Sequence, residues 1–375
     1  MRAPLSRHEA DLAKLSNVAR LRRLIPQAGI DFSSNDYLGL ASSGFLADAA
    51  RTALDRGVSL GSGGSRLLRG NHAAHEQLEA EAVAIFGCEA ALSFCSGFAA
   101  NACLLSTLPQ HDDLILYDDL IHASAHEGMR LSRAEARSVR HNDVQQFADI
   151  MKNWRSAGGI GTIWIAVESL YSMDGDRAPI DELIALADQY QAMLLIDEAH
   201  ATGVYGEDGT GLAGHLEGRS NVITLRTLGK ALGCEGALIC GPAICRDFLV
   251  NRGRGFIFST APSPLMAAVA VAALRTMAQK PERRERLWRH VRHAEALLAP
   301  LGIGASGSQI IPVIIGDDRR AMDAAQYMQA AGFDVRGIRP PTVPEGTSRL
   351  RVSITLNASE DDITDLANIL AAALS

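Results

Sequence analysis

The chain has 375 residues, of which 47% are hydrophobic and 21% are charged, and its formal net charge is −7. This length can bury a large core and suggests two or three structural units. The sequence has no basic stripe and no run of like charge, which makes nucleic acid and anionic membranes poor candidates for partners. The six cysteines form no C-x-x-C pair, and the mixed charges near the start are unlike a signal peptide. We therefore expect a cytoplasmic protein without a metal site.

The first part of the chain, residues 1–43, is predicted to be an N-terminal arm. An apolar helical pattern passes through Leu12, Leu15 and Val18 and is expected to end at Pro26. A glycine-rich loop follows at residues 61–66, but it lacks the Gly-Lys-Ser/Thr ending of a phosphate-binding P-loop.

Residues 44–265 are predicted to form a large domain in which strands alternate with helices. The apolar runs that indicate strands lie at residues 90–94, 114–117, 162–167, 193–196, 222–225 and 236–240. This alternation is typical of an α/β fold with a doubly wound, mainly parallel sheet. Ligands bind such sheets beyond the carboxyl ends of their strands.

Residues 266–375 are predicted to form a smaller α+β domain. It begins with a long helix near Pro264, contains strands at residues 309–315, 334–338 and 350–354, and ends in a helix over residues 360–374.

Lys230 is the candidate for the central chemical group. It follows a predicted buried strand and lies among small residues, and apolar surroundings lower the pKa of a lysine so that its neutral amine can form a Schiff base. A lone lysine in such a turn is more often an ordinary surface residue. Asp197 changes this balance, because an acid at a strand end followed by a lysine after a later strand is the layout that a pyridoxal phosphate site requires.

Other candidates lie on the same predicted edge of the sheet. Gly97, His122, Ser172, Asp197 and Lys230 each fall at or just after the end of a predicted strand. The amides of Gly97 and Phe98 open a helix and could bind phosphate. Taken singly, most of these residues fit simpler roles: a helix start, a capping or surface histidine, or a turn serine. It is their common location that favours a ligand site.

Two motifs are misleading in this context. Residues 197–200 spell the DEAH box of helicases, but the chain has no P-loop. Residues 209–214 match G-x-G-x-x-G, but no strand precedes them, which argues against a dinucleotide site.

The ordered motifs of the chain resemble those of the α-oxoamine synthases, a family of pyridoxal-phosphate enzymes with the aspartate-aminotransferase fold (PLP fold type I). The resemblance rests on seven segments: residues 34–40, 61–65, 96–101, 141–143, 172–176, 197–203 and 227–230. It implies pyridoxal 5'-phosphate as the cofactor and a homodimer in which each site draws on both subunits.

The resemblance also assigns roles to individual residues. Lys230 would bond to the cofactor and later move the α-proton of the substrate, Asp197 would pair with the ring nitrogen, and His122 would stack on the ring. The remaining cofactor contacts would come from Gly97, Phe98, Ser172, His200, Thr227 and Thr260, the last lent to the neighbouring subunit. Substrate contacts would come from Arg22, Asn35, His122, Thr342 and Arg351, with Arg351 taking the amino-acid carboxylate.

Within the family, the compact N-terminus and residues 338–344 most resemble the members that act in biotin biosynthesis. These members condense L-alanine with a pimeloyl thioester, carried by coenzyme A or acyl-carrier protein, and release carbon dioxide. A sibling activity stays open: glycine with acetyl- or succinyl-CoA, or serine with a long acyl chain. A non-catalytic binding subunit is the other alternative, and the presence of Lys230 argues against it.

Overall fold

The computed structural model describes residues 4–374. Residues 1–3 of the predicted arm and residue 375 of the predicted small domain lie outside the described part. The α-helices are α1 (Ser6–Asn17), α2 (Gly44–Asp55), α3 (Ala73–Phe86), α4 (Gly97–Thr107), α5 (Ala123–Leu131), α6 (Val144–Ser156), α7 (Ile180–Tyr190), α8 (Ala243–Arg252), α9 (Arg254–Ile257), α10 (Pro264–Gln279), α11 (Glu282–Leu298), α12 (Asp318–Ala330) and α13 (Glu360–Leu374). The strands are β1 (Ile30–Asp31), β2 (Ala90–Phe94), β3 (Leu114–Asp118), β4 (Glu135–Val139), β5 (Ile163–Glu168), β6 (Met193–Asp197), β7 (Val222–Thr227), β8 (Ala237–Gly241), β9 (Ile310–Gly316), β10 (Phe333–Asp334), β11 (Arg336–Ile338) and β12 (Ser348–Ser353).

The chain divides into two compact units. The large unit comprises residues 38–172 and 177–284, and the small unit comprises residues 4–37, 173–176 and 285–374. This division differs from the boundary expected after residue 265, because α10 packs against α2 and α3 of the large unit. Four residues in the middle of the chain belong to the small unit, where Gly175 approaches the backbone oxygen of Ile310 too closely for any side chain.

The large unit is built on a seven-stranded sheet with the order β2–β8–β7–β6–β5–β3–β4. Strand β8 is antiparallel to both of its neighbours, and the other pairs are parallel. The predicted α/β fold with a mainly parallel sheet is confirmed. Because β2, β3, β5, β6 and β7 run in one direction, their carboxyl ends lie along the same edge, where a ligand is expected to bind.

The central strands are buried on both faces, which explains their almost continuous apolar sequence. Successive side chains point to opposite faces, so Ala166 and Leu195 join one core cluster while Val167 and Ile196 join the other. The first of these clusters also contains residues of α4 and α5. The same alternation places the side chain of Asp197, at the end of β6, on the face covered by α4 and α5.

Two of the helices at this edge begin with side-chain caps. The hydroxyl of Ser96 accepts a hydrogen bond from the amide of Ala99 at 3.1 Å and starts α4. The ring of His122 accepts one from the amide of Ser124 at 3.2 Å and starts α5. Such caps satisfy amides that have no partner within the helix and fix where it begins.

The small unit contains an antiparallel sheet with the order β11–β12–β9, together with α12 and α13. A short parallel pair joins β1 to β10. The strand predicted at residues 334–338 is divided into β10 and β11, which belong to these two different sheets. Within residues 4–374, no helix is both long enough and apolar enough to cross a membrane.

Candidate active site

Lys230 lies three residues beyond the end of β7, and its side chain contacts His200. The distance between Lys230 Nζ and His200 Nε2 is 2.6 Å. His200 is buried and Lys230 is partly buried. The structure thus brings together two residues that the sequence analysis proposed separately.

Asp197 is held by a hydrogen-bond network that extends to His122. Its Oδ2 accepts from Asn101 Nδ2 at 2.7 Å, and its Oδ1 accepts from the amide of Ala199 at 2.9 Å. Asn101 Nδ2 also donates to Ser124 Oγ at 3.0 Å, and that hydroxyl lies 2.8 Å from His122 Nδ1. Because an amide nitrogen only donates, Asp197 Oδ2 is the acceptor in this hydrogen bond, which fixes the orientation of the carboxyl group.

His122 is kept neutral by its surroundings. Burial lowers the pKa of its imidazole, and the charge of Lys230 acts in the same direction, while Asp197 opposes both. Since Nδ1 accepts the amide hydrogen of Ser124, the neutral ring carries its proton on Nε2. His122 therefore presents an uncharged ring with a fixed tautomer.

Glu168, at the end of β5, was missed by the sequence analysis. It is 2% exposed and is paired in register with Asp197 on the neighbouring strand β6. The backbone amides of His122 and Ser172 bond to its carboxyl group. Burial, followed by the charge of Asp197, raises the pKa of Glu168 well above the ordinary value of 4.5. Sequence alone offered one signal for it, an acid at the end of an apolar run.

Gly97 and Thr227 adjoin at the start of α4. A Cβ atom placed on Gly97 would lie 3.9 Å from the side chain of Thr227, so the glycine leaves the helix amides accessible beside that hydroxyl. Thr227 Oγ1 also accepts from the amide of Gly229 at 3.3 Å. A helix N-terminus with a hydroxyl beside it suits a phosphate group.

The remaining candidates of the large unit differ in burial. Ser172 is 9% exposed, and its amide bonds to the carboxyl of Glu168. Phe98 is 51% exposed at the start of α4. Thr260 is also exposed, and the amide of its neighbour Ala261 donates to the backbone oxygen of Gly64 in the glycine-rich loop.

The predicted substrate residues other than His122 all lie in the small unit, where they form two pairs. Arg351 is 6% exposed and donates from Nη2 to Asn35 Oδ1 at 3.1 Å. Arg22 donates from Nη2 to Thr342 Oγ1 at 3.0 Å, although the two residues are 320 positions apart. The sequence predicts these four residues as substrate contacts but does not predict that they are paired.

Arg339 is a further cation close to Arg22. It is 8% exposed, and its Nε has no hydrogen-bond partner in the described part of the chain. Its Nη2 donates to the backbone oxygen of Leu21 at 3.0 Å. Burial, and to a lesser extent the charge of Arg22, lowers the pKa of Arg339. A buried guanidinium group with a like charge nearby favours an anionic ligand.

The fold and this arrangement of lysine, carboxylate and histidines are those of a class of pyridoxal-phosphate enzymes. The family model for aminotransferase class I and II matches residues 27–370, and the chain belongs to that family. Its cofactor is pyridoxal 5'-phosphate. The donor set fits this group: a carboxylate for a ring nitrogen, a neutral histidine, a lysine for the aldehyde carbon, and a helix start with a hydroxyl for the phosphate.

Within that family, the chain is similar to proteins named 8-amino-7-oxononanoate synthase. An 8-amino-7-oxononanoate synthase from Anaeromyxobacter dehalogenans is 42% identical over 351 residues, which cover 93% of this chain and 87% of the relative. The solved 8-amino-7-oxononanoate synthase of Francisella tularensis is 27% identical, with a TM-score of 0.77 over 92% of this chain and 97% of that one. The predicted resemblance is confirmed by these matches.

A sibling enzyme is also structurally similar. Serine palmitoyltransferase from S. paucimobilis, solved with a bound PLP–myriocin adduct, has a TM-score of 0.89 and 26% identity, covering 99% of this chain and 98% of that one. The structural likeness therefore extends across enzymes with different substrates, and the choice among them rests on sequence identity.

Proposed function

We propose that this protein is a pyridoxal-phosphate-dependent acyltransferase of biotin biosynthesis. It condenses L-alanine with a pimeloyl thioester to give 8-amino-7-oxononanoate, carbon dioxide and the free thiol of the carrier. The observation that carries the proposal is the contact of Lys230 with His200, next to the hydrogen-bond network of Asp197. The chain is also 42% identical to a relative named 8-amino-7-oxononanoate synthase. Coenzyme A and acyl-carrier protein are both possible carriers of the same thioester.

Seven residue positions of the large unit are proposed to hold the cofactor around Lys230. Asp197 pairs with the ring nitrogen, His122 covers the ring face, and His200 and Ser172 bond its polar substituents. Gly97, Phe98 and Thr227 bind the phosphate group at the start of α4. When bound, pyridoxal phosphate withdraws electrons from the α-carbon of an attached amino acid, which makes that carbon reactive.

Lys230 is proposed to carry the proton of the reaction. Nζ of Lys230 would hold the cofactor, and its flexible side chain would let the same amine reach and take the α-proton of the amino acid. His200 Nε2, at 2.6 Å, orients this amine. Asn101 Nδ2 donates to Asp197 Oδ2 and to Ser124 Oγ, and so fixes the position of the Asp197 carboxyl group.

The small unit is proposed to recognise the two substrate carboxylates. Arg351, oriented by Asn35, binds the carboxylate of L-alanine in a bidentate manner. Arg22 and Thr342 contact the acyl substrate, and the buried guanidinium group of Arg339 adds a second positive charge there. Pimeloyl and succinyl chains end in a free carboxylate, whereas acetyl and palmitoyl chains do not, so this pair of arginines favours an acyl group with a terminal carboxylate.

The assembly is proposed to be a homodimer with Thr260 lent to the neighbouring site. Several large apolar side chains of the large unit are strongly exposed, which is typical of surfaces that become buried on association. These side chains are Leu60, Leu67, Leu68, Phe98 and Phe258. We also propose a cytoplasmic location, since all six cysteines are free thiols.

The experiment that tests the substrate assignment is a matrix of amino acids and thioesters. L-alanine, glycine and L-serine are each supplied with pimeloyl, acetyl, succinyl and palmitoyl thioesters, and the product is identified by mass. We expect alanine with the pimeloyl thioester to be preferred, with glycine disfavoured by a factor consistent with ~1–3 kcal/mol for one methyl group. Efficient turnover of another pair, without turnover of alanine and pimeloyl thioester, would assign the protein to a sibling activity.

A further inference from the structure

A second buried carboxyl group lies beside Asp197. Glu168 and Asp197 occupy paired positions at the ends of the parallel strands β5 and β6. Side chains at paired positions point to the same face of a sheet, and here that face is the one covered by α4 and α5. Both residues are inaccessible to solvent, with exposures of 2% for Glu168 and 8% for Asp197.

The surroundings of Glu168 supply hydrogen-bond donors from the backbone rather than a close cation. The amides of His122 and Ser172 bond to its carboxyl group. Its Oε1 has no partner in the described part of the chain. The charged and titratable groups that face it are Asp197 from β6, Lys230 from beyond β7 and His122 from the start of α5.

The charges of this group of residues favour one protonation state. Burial and the negative charge of Asp197 raise the pKa of Glu168, and the weaker opposing effects of Lys230 and of the Ser172 and His122 amides do not reverse this direction. Two ionised carboxylates at neighbouring register positions would repel each other in surroundings of low dielectric constant. Both oxygens of Asp197 accept a hydrogen bond, from the side-chain amide of Asn101 and the backbone amide of Ala199, whereas Oε1 of Glu168 has no partner in the described part of the chain, so we assign the proton of the pair to Glu168.

We infer that Glu168 is a positioning residue of the cofactor site, held as an uncharged carboxylic acid that orients His122 and Ser172 through their backbone amides and leaves the negative charge of the pair on Asp197. This role extends the proposed function, since it rests on the same cofactor site. It does not depend on which amino acid or thioester the enzyme uses.

The first test compares the holoenzyme with its Glu168→Gln variant, which keeps the carbonyl acceptor and cannot ionise. In the wild type, folding raises the pKa of Glu168, so stability from this group is present below 4.5 and is lost as pH rises toward the higher folded value. The variant lacks this loss. As pH rises from 4.5 toward the raised pKa of Glu168 in the folded protein, the unfolding constant of the wild type should therefore increase relative to that of the variant, by up to about tenfold for each pH unit.

The matched control is Glu217→Gln, which alters another buried glutamate. Glu217 Oε1 accepts from Arg226 Nη2 at 2.6 Å, so this substitution weakens a buried ion pair and should destabilise the protein at both ends of the pH range. The inference would be overturned if the unfolding constants of the wild type and Glu168→Gln kept the same ratio at every pH. It would also be overturned if the Glu168→Gln protein did not fold. Loss of a carboxylic-acid C=O infrared band in Glu168→Gln would support it, and absence of that band from the wild type would contradict it.

The second test separates positioning from simple filling of space. Glu168→Leu has a similar volume but no acceptor, so the amides of His122 and Ser172 lose their partner. We expect the dissociation constant for pyridoxal phosphate to rise about tenfold in Glu168→Leu and to stay near the wild-type value in Glu168→Gln. Equal affinity in the two variants would show that the acceptor has no positioning role.

Discussion

At the scale of single residues, the site is organised by hydrogen bonds that hold its charged groups in defined states. Asn101 is central to this arrangement, since its amide nitrogen bonds both to Asp197 and to Ser124, which in turn contacts His122. One buried amide thus links the group proposed for the ring nitrogen with the group proposed for the ring face.

Replacing Asn101 with alanine should weaken cofactor binding without unfolding the protein. The substitution removes a hydrogen bond to a charged group, worth about 1.5–3 kcal/mol, and so should raise the dissociation constant for pyridoxal phosphate by about tenfold or more. Titration of the apoenzyme followed by visible absorbance measures this constant. Ser106→Ala is the matched control on the same helix, because its hydroxyl bonds only to the backbone oxygen of Cys103 among the contacts described. An equal effect in both variants would contradict the role of Asn101.

At the scale of secondary-structure elements, the apolar core strands and amphipathic helices were predictable. The expected bounds of β2 and α13 agree with the structure to the residue. Strand β4 was not predicted, since it pairs only with β3 at the sheet edge and most of its residues are exposed, which leaves no apolar run in Glu135–Val139. The links from Glu168 and Asn101 to Asp197 were also missed, because they connect residues far apart in sequence.

The opposite face of the same strand ends carries a buried ion network that stabilises the sheet. Arg226 on β7 is fully buried, donates to Glu217 at 2.6 Å and lies 3.8 Å from Glu198. Its guanidinium carbon is 4.0 Å from the centre of the Phe86 ring. Glu198 follows Asp197 in the chain, and Arg226 precedes Thr227. The network therefore fixes the ends of β6 and β7 on the sheet face opposite the proposed cofactor site.

Arg226→Met should lower the free energy of unfolding by about 3–5 kcal/mol, because it leaves two buried carboxylates without their cation. Urea unfolding measures the change. Arg246→Met is the control, since Arg246 forms an exposed ion pair with Asp247 and such pairs contribute about 0–1 kcal/mol. Similar losses in the two variants would show that the buried network does not stabilise the sheet.

At the scale of the whole molecule, the candidate residues are distributed between the two units. Those proposed to hold the cofactor lie in the large unit, whereas Arg22, Asn35, Thr342 and Arg351 lie in the small unit. Composition and periodicity predicted the sheet of the large unit but could not pair Arg22 with Thr342, which only the tertiary structure brings together.

The proposed dimer can be tested by mixing two inactive proteins. If Thr260 serves the neighbouring site, a dimer of one Lys230→Ala chain and one chain with an inactivating Thr260 substitution contains one intact site. Mixing the two proteins under conditions where subunits exchange should then restore part of the activity. Exchange demonstrated by mass spectrometry without any recovery would indicate sites built within single chains.

The central claim is that the enzyme joins the α-carbon of alanine to an acyl group while the alanine carboxyl group leaves. The most direct measurement uses L-alanine labelled with carbon-13 at its carboxyl carbon, together with a pimeloyl thioester. We expect all of the label to appear as carbon dioxide, in equal amounts with released thiol and unlabelled 8-amino-7-oxononanoate. Label retained in the condensed product, or thiol released without labelled carbon dioxide, would contradict the proposed reaction.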